Sequence, residues 1–106
     1  MQKPSIGRIV HYVLTEDDAT QINKRRADVF NIRERLVAGT WPLGAQAHVG
    51  NKVSAGQHVA VIVTGVWGTG QTVNGQAILD GNDSFWVLSA LEGEGPRTWH
   101  WPERED

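Results

Sequence analysis

The sequence predicts an α+β fold, in which a small curved antiparallel sheet or partly open β-barrel of the SH3-like kind carries a two-helix insertion after its first strand. Three observations predict it: short valine-rich segments that alternate in polarity, glycine- and asparagine-rich turns between them, and one stretch with helix-capping patterns. A domain usually takes about 100 to 200 residues. The 106 residues therefore form a single domain, 1–106, with no room for a second core.

The first strand is predicted over residues 6–13, where IGRIVHYV alternates and is rich in β-branched side chains. Thr15 then stands three residues before Asp18, a spacing in which each side chain satisfies a free backbone N–H at a helix start. A helix is predicted from about residue 16 to 26. Asn31 as a cap and Gly39 as a terminator predict a second, shorter helix after it.

The second half of the chain predicts a meander of antiparallel strands. Valine-rich or alternating segments at 58–67, 73–80 and 84–91 are separated by turns containing glycine, asparagine and aspartate, and a last strand lies near 98–101. The Gly68-Thr69-Gly70 segment is interpreted as a hairpin turn because a strand follows it, not a phosphate-binding helix. Residues 40–57 show no periodicity, which is typical of a binding loop or lid.

Composition excludes several classes of protein. Ten Lys and Arg residues against twelve Asp and Glu residues give a formal charge of −2, which provides no global field for nucleic acid or an anionic membrane. The absence of cysteine excludes disulfides and thiolate metal sites. The longest apolar stretch, 59–67, is far shorter than the roughly 20 residues of a membrane span, and the N-terminus lacks a signal-peptide core. We expect a protein of the cytoplasm with no membrane partner.

No motif predicts catalysis, a cofactor or a metal. The four histidines show neither the i, i+4 pairing nor a carboxylate at zinc-ligand spacing, and no serine lies in a Gly-x-Ser-x-Gly context. We therefore expect no catalytic residues, no cofactor and no metal site. The turn at 80–83 is rich in side-chain oxygens, so it is interpreted either as an ordinary turn or as a contact for a cation or ribose hydroxyls.

Arginines and tryptophans are the residues that point to a ligand. Residues 24–35 hold five cations against two anions, which indicates either a phosphate-binding face or a solvated helix face. In a strand, Trp99 and Trp101 would project to one side and His100 to the other, so the two tryptophans and Trp86 are predicted to line one concave surface. The alternative is that the tryptophans fill the core.

Several segments together carry a resemblance to a known family. They are GRIVHY at 7–12, INKRR at 22–26, WPLGAQAHVGN at 41–51, VNGQ at 73–76, LDGND at 79–83 and GPRTWHWP at 95–102. The sequence resembles small proteins encoded mainly in tailed-phage and prophage genomes, whose chains typically end in Gly-Thr-Trp-His-Trp-Pro-Glu. Arg97 stands where glycine is usual in that pattern. The resemblance implies a phage setting and no particular activity.

These observations predict a phage-encoded binding protein that acts in the host cytoplasm. We expect it to sequester a nucleotide-derived signal of host immunity, such as a cyclic nucleotide or an ADP-ribose derivative, without catalysis. A homo-oligomer, most simply a dimer, is expected. The alternatives are a protein-binding inhibitor of a host factor or a virion accessory protein and, with less support, an enzyme using His11 or His100 or a nucleic-acid-binding protein. The predicted ligand-binding residues are His11, Tyr12, Arg25, Arg26, Trp41, Asn74, Asp80, Asn82, Asp83, Trp86, Trp99, His100 and Trp101.

Overall fold

A computed structural model describes residues 3–37, 48–69 and 71–102. Its elements in chain order are β1 (Ile9–Val13), α1 (Glu16–Val37), β2 (His58–Trp67), β3 (Thr72–Ile78), β4 (Ser84–Glu92) and β5 (Thr98–His100). The five strands form a closed barrel in the order β1-β2-β3-β4-β5. The predicted α+β fold with a β-barrel and a helical insertion after the first strand is confirmed, but the barrel is closed, not partly open. No helix in the described part of the chain is both long and apolar enough to cross a membrane.

The barrel is antiparallel except where it closes. Neighbouring strands from β1 to β4 pair antiparallel, as the meander predicts, and β5 pairs antiparallel with β1. The contact between β4 and β5 is parallel and extends over two residue pairs, Leu91 with Thr98 and Glu92 with Trp99. The prediction of a wholly antiparallel sheet is wrong at this contact, because the chain bends through residues 93–97 and then runs beside the end of β4.

Alternate residues of every strand point into the barrel and fill it with small and medium apolar side chains and one tryptophan. The helix and the segment after it add to this core. Its buried members are Val10, Tyr12, Leu14, Ala19, Ile22, Val53, Val59, Val61, Val63, Val73, Ala77, Leu79, Phe85, Val87, Ala90 and Trp99. The intervening residues of each strand face outward, so the position of a polar or histidine residue along its strand decides whether its side chain faces the core or the outside of the barrel.

The insertion is one helix of 22 residues, which corrects the prediction of two. Residues 26–31 contain neither glycine nor proline, so nothing in the chain interrupts the backbone hydrogen bonds of the helix where the second cap was predicted. The predicted start is confirmed. The Asp18 amide donates to the Thr15 hydroxyl at 3.0 Å, and the Thr15 amide donates to the Asp18 carboxylate at 3.1 Å.

The start of β1 differs from the prediction, and part of the predicted loop lies beyond the described residues. Strand β1 begins at Ile9, not at residue 6, because Gly7 adopts a φ of 91° in a turn that the Arg8 amide closes on the Ser5 carbonyl. Of the predicted loop at 40–57, residues 40–47 lie outside the described chain. In the described part, Val53 is buried and its backbone N–H and C=O both pair with the side-chain amide of Asn23, at 2.8 Å each.

Candidate functional site

The arginines predicted to bind phosphate instead bind a carboxylate of the protein. Arg25 donates from Nη1 to both oxygens of Asp83 at 3.0 Å, and Arg26 donates from Nη1 to Oδ2 at 3.0 Å. The Nδ1 atom of His48 lies 3.0 Å from Asp83 Oδ1. We call Arg25, Arg26, His48 and Asp83 the ion cluster. It joins α1 to two loops that are distant in sequence.

The centre of the ion cluster is buried, and the two arginines compensate the negative charge of the Asp83 carboxylate. The side chains of Arg26 and Asp83 are 5% and 2% exposed, and that of Arg25 is 33% exposed. Burial alone would raise the pKa of the Asp83 carboxyl, but the hydrogen bonds from the two arginines and the positive charge of Arg25 outweigh it and hold the pKa below its usual value. Arg26 also donates to the backbone carbonyls of His48 and Asn51. Arg26 and Asp83 are thus enclosed within the fold, whereas Arg25 and His48 are partly exposed.

The oxygen-rich turn at 80–83 is also used inside the protein. Asn82 accepts the backbone amide of Val49 at 2.7 Å, and Asp80 accepts the side-chain amide of Asn51 at 2.6 Å. Gly50 and Gly81 form a β-bridge where the two loops cross. A Cβ on Gly81, whose φ is +149°, would overlap the Val49 carbonyl and the Gly50 Cα. Of the two interpretations of this turn, the structure supports the one without a ligand.

The three tryptophans predicted to share a concave surface do not do so. Trp99 is 1% exposed in the core, and its indole N–H donates to the Gln71 carbonyl at 2.8 Å. Trp101 is half-buried on the same inner side and contacts Trp99 edge-to-face, with ring centroids 5.6 Å apart. Trp86 faces outward from β4 and is 56% exposed. Trp99 therefore lies in the barrel interior, whereas Trp101 packs against the edge of the core and also lines a cavity with His58 and His100.

Asn74, another predicted ligand-binding residue, is used within the sheet. Asn74 accepts the backbone amide of Ser89 at 2.7 Å, where β3 and β4 shift register and Ser89 adopts a φ of 54°. Its side chain therefore stabilises an irregularity in the sheet. Trp41 lies outside the described residues.

A cleft of about 360 Å³ lies between the start of α1 and the first half of β4. Strand β4 pairs with β3 along its length but with β5 only through its last two residues, so within the described part of the chain no strand lies beside residues 84–88 on that side. The lining combines an exposed indole, two carboxylates, an amide and a guanidinium. The residues that line the cleft are Tyr12, Thr15, Asp17, Asp18, Gln21, Phe85, Trp86, Val87, Leu88 and Arg97.

Tyr12 and Asp18 fix the inner wall of this cleft. The Tyr12 hydroxyl donates to Asp18 Oδ2 at 2.7 Å, and this same oxygen accepts the capping bond from the Thr15 amide. Burial, and then the bond to Asp18, raise the pKa of the Tyr12 hydroxyl well above its usual value. The hydroxyl therefore stays protonated at neutral pH and serves as a hydrogen-bond donor.

Arg97 lies at the mouth of the cleft with an unusual backbone conformation. Its φ is 69°, in the left-handed region that glycine adopts without strain. Arg97 is the position at which the resemblance expects glycine. The turn therefore carries an exposed guanidinium, although glycine would form the same turn more readily.

Three histidines from three strands meet on the outside of the barrel, a grouping that sequence spacing missed. His11 on β1 lies opposite His100 on β5, and His58 on β2 has its ring centroid 4.8 Å from that of His100. One ring nitrogen from each histidine lies within 4.8 Å of those of the other two. A cavity of about 420 Å³ adjoins this histidine cluster and is lined by His58, Glu94, His100 and Trp101. Only the pairing of the strands around a closed barrel could have indicated it.

No protein-family model matches the chain, and searches among curated proteins and among solved structures found no match either. The function is therefore argued from the geometry of the cleft and of the histidine cluster.

Proposed function

We propose that the protein is a non-catalytic binding protein that holds a nucleotide-derived ligand in the cleft between α1 and β4. The observation that carries the proposal is the exposed face of Trp86 in a cleft that also presents Arg97, Asp17 and Gln21. A volume of about 360 Å³ lies within the ~300–1,000 Å³ typical of small-molecule sites, near its lower end. It fits one nucleoside unit, with further parts of a larger ligand extending into solvent.

Each group in the cleft matches one part of such a ligand. An indole face stacks on a base whatever its identity, and a guanidinium pairs with phosphate oxygens. The Asp17 carboxylate can accept hydrogen bonds from ribose hydroxyls, and the strand edge at 84–88 offers backbone groups to the edge of a base. The site is therefore displaced from the one the sequence predicts, sharing with it only Tyr12 and Trp86.

The cleft favours binding over catalysis because three of its groups that could act as nucleophile or base, those of Tyr12, Thr15 and Asp18, are hydrogen-bonded within the protein. The Thr15 hydroxyl accepts the capping bond of Asp18, whose carboxylate accepts from Tyr12 and from the Thr15 amide. The raised pKa of Tyr12 opposes formation of a phenolate. Interactions of this kind stabilise a bound ground state without activating a reaction.

The phage setting implied by the sequence resemblance supplies the biological form of the proposal. A protein that binds a signal of host immunity without destroying it lowers the free concentration of that signal in proportion to its own amount. Such a protein needs a pocket and abundance, not turnover. We propose that this chain acts in the host cytoplasm in that way.

The test compares two equally exposed tryptophans. The protein is incubated with a panel of cyclic nucleotides and ADP-ribose derivatives, and the free ligand is measured before and after the protein is heated past unfolding. We expect stoichiometric depletion and recovery of the unchanged ligand. Trp86→Ala should weaken binding by about 1 to 3 kcal/mol, the range for one lost base stack. Trp67→Ala is the matched control, since Trp67 is also 56% exposed but does not line the cleft.

Arg97→Gly separates ligand binding from folding. Glycine relieves the left-handed strain at this position, so the variant should be at least as stable as the parent while it binds a phosphorylated ligand more weakly. A cleaved ligand on heating would identify an enzyme. No depletion across the panel would contradict the proposal and leave the protein-binding inhibitor or virion accessory protein as the better candidate.

The homo-dimer expected from the sequence also stays a proposal, for which the outer face of the barrel offers a surface. Ile9, Ile62 and Ile78 face outward on three neighbouring strands and are 54%, 39% and 50% exposed. A second copy of the chain, packed through these isoleucines about a two-fold axis, would cover them. Sedimentation of the parent as a dimer and of Ile62→Glu as a monomer would support this, and a monomeric parent at tens of micromolar would contradict it.

A further inference from the structure

The histidine cluster has the composition and placement of a metal site. His11 and His100 are directly opposed in register, and His58 pairs with Val13, two positions along from the partner of His11. Because Val10, Tyr12, Val59 and Trp99 point inward, the alternation of the strands turns all three imidazoles outward to the same patch of the barrel. The patch is built on paired strands, which hold the three Cα positions fixed.

The spacing of the nitrogens is close to that of a bound site. Nitrogens bound at 2.0–2.1 Å to one tetrahedral ion are about 3.3 Å apart. The nitrogens here lie within 4.8 Å of one another without an ion. His58 is exposed, so a rotation of its side chain can shorten these distances without moving the barrel.

The surroundings leave one side of the cluster open. Two of the three histidines, His58 and His100, line the cavity of about 420 Å³, where Glu94 and Trp101 complete the wall. Three protein ligands with a fourth position open to a cavity is the arrangement of reactive zinc centres, whereas structural zinc sites are closed by four protein ligands. The nearby carboxylate favours a cation and can accept a hydrogen bond from a water on it.

We propose that His11, His58 and His100 together bind one divalent transition-metal ion of the zinc type, whose fourth position faces the cavity beside Glu94 and binds water or a small anion. Imidazole is a suitable ligand for zinc, cobalt, nickel and copper. This site shares no lining residue with the cleft of the proposed function, so either can fail without the other.

The experiment uses untagged protein freed of metal by a chelator and titrated with Co²⁺ and Zn²⁺. We expect one ion per chain, with visible absorption of tetrahedral Co²⁺ that excess Zn²⁺ abolishes. His58→Gln should lower the affinity by at least about tenfold. His48→Gln is the matched control, since it removes a histidine that lies outside the cluster, and it should bind Co²⁺ as the parent does.

The outcomes separate a site from adventitious binding. Equal loss of affinity in both variants, affinity unchanged by His58→Gln, or no binding at a 1:1 ratio at micromolar concentration would overturn the proposal. Addition of azide tests the open position: a changed Co²⁺ spectrum supports it, and an unchanged spectrum overturns that part of the proposal.

Discussion

The ion cluster and the histidine cluster are built alike and do different work. Each brings together side chains from three segments that are far apart in the chain, and each consists of residue types that bind ligands in many proteins. In the ion cluster, Asp83 accepts from both arginines and lies against His48. The histidine cluster borders an open cavity, and His58 is exposed. Access to solvent therefore distinguishes the two clusters: the Asp83 carboxylate is enclosed by its partners, whereas the histidine cluster borders an open cavity.

The difference follows from where each cluster lies relative to the core. Asp83 is held between α1 and two loops, and a carboxylate removed from water is stable only with its charge compensated. The histidines occupy outward positions of strands whose inward neighbours supply the core. An imidazole there remains in contact with water.

Removal of the central carboxylate should have the largest effect on stability. Asp83→Ala leaves Arg26 buried without its counter-charge, so the free energy of unfolding should fall by about 3 to 5 kcal/mol, the range for a broken buried pair. Urea unfolding measures it. Asp28→Asn, at an exposed position of the same helix, is the control and should change stability by no more than about 0.5 kcal/mol. A loss below about 1 kcal/mol in Asp83→Ala would remove the distinction between the clusters.

Acid should act on the ion cluster through Asp83. Its pKa is lower in the folded protein than in the unfolded chain, where it is near the usual 3.8. The stabilisation is therefore complete above that value and is lost as the pH falls through the lower folded pKa. The stability difference between the parent and Asp83→Asn, from urea unfolding at pH 7, 5, 4 and 3, should shrink below pH 4. A difference that grows on acidification would contradict the assignment.

Substitution in the histidine cluster should have the smallest effect on folding. His58→Gln, measured in a chelator, should change the free energy of unfolding by no more than about 0.5 kcal/mol, since His58 is exposed. Zn²⁺ should then raise the melting temperature of the parent and not that of the variant, because an ion bound only to the folded state stabilises it. A loss of more than about 2 kcal/mol in the free energy of unfolding without metal would show that His58, like Asp83, stabilises the fold.

Local patterns predicted the elements well, because the signals are contained within them. The capping pair Thr15 and Asp18 marks the helix start, and strand β2 has the bounds that its valine-rich segment predicts. The single helix was missed because a possible cap at Asn31 does not end a helix when no breaker accompanies it. The parallel contact of β5 depends on how the barrel closes, which no local pattern encodes.

The sites were less predictable because burial decides them. Arg25, Arg26 and Asp83 were all predicted to bind the ligand, but the sequence does not reveal that both arginines pair with the carboxylate. Trp99 has a side chain that could stack on a base, but it lies in the core. The alternative interpretations, core tryptophan and ordinary turn, were the better ones wherever the side chain points inward.

The crossing of Gly50 and Gly81 limits how the sequence can vary. A Cβ on either residue would meet backbone atoms of the other loop, and backbone cannot rotate away as a side chain can. Neither glycine can be exchanged first, because no single substitution on one side makes room for a side chain on the other. In a library randomised at both positions and selected for folding, we therefore expect glycine to return at both. The two loops therefore constrain each other's sequence at this point, while the exposed residues around them remain free to vary.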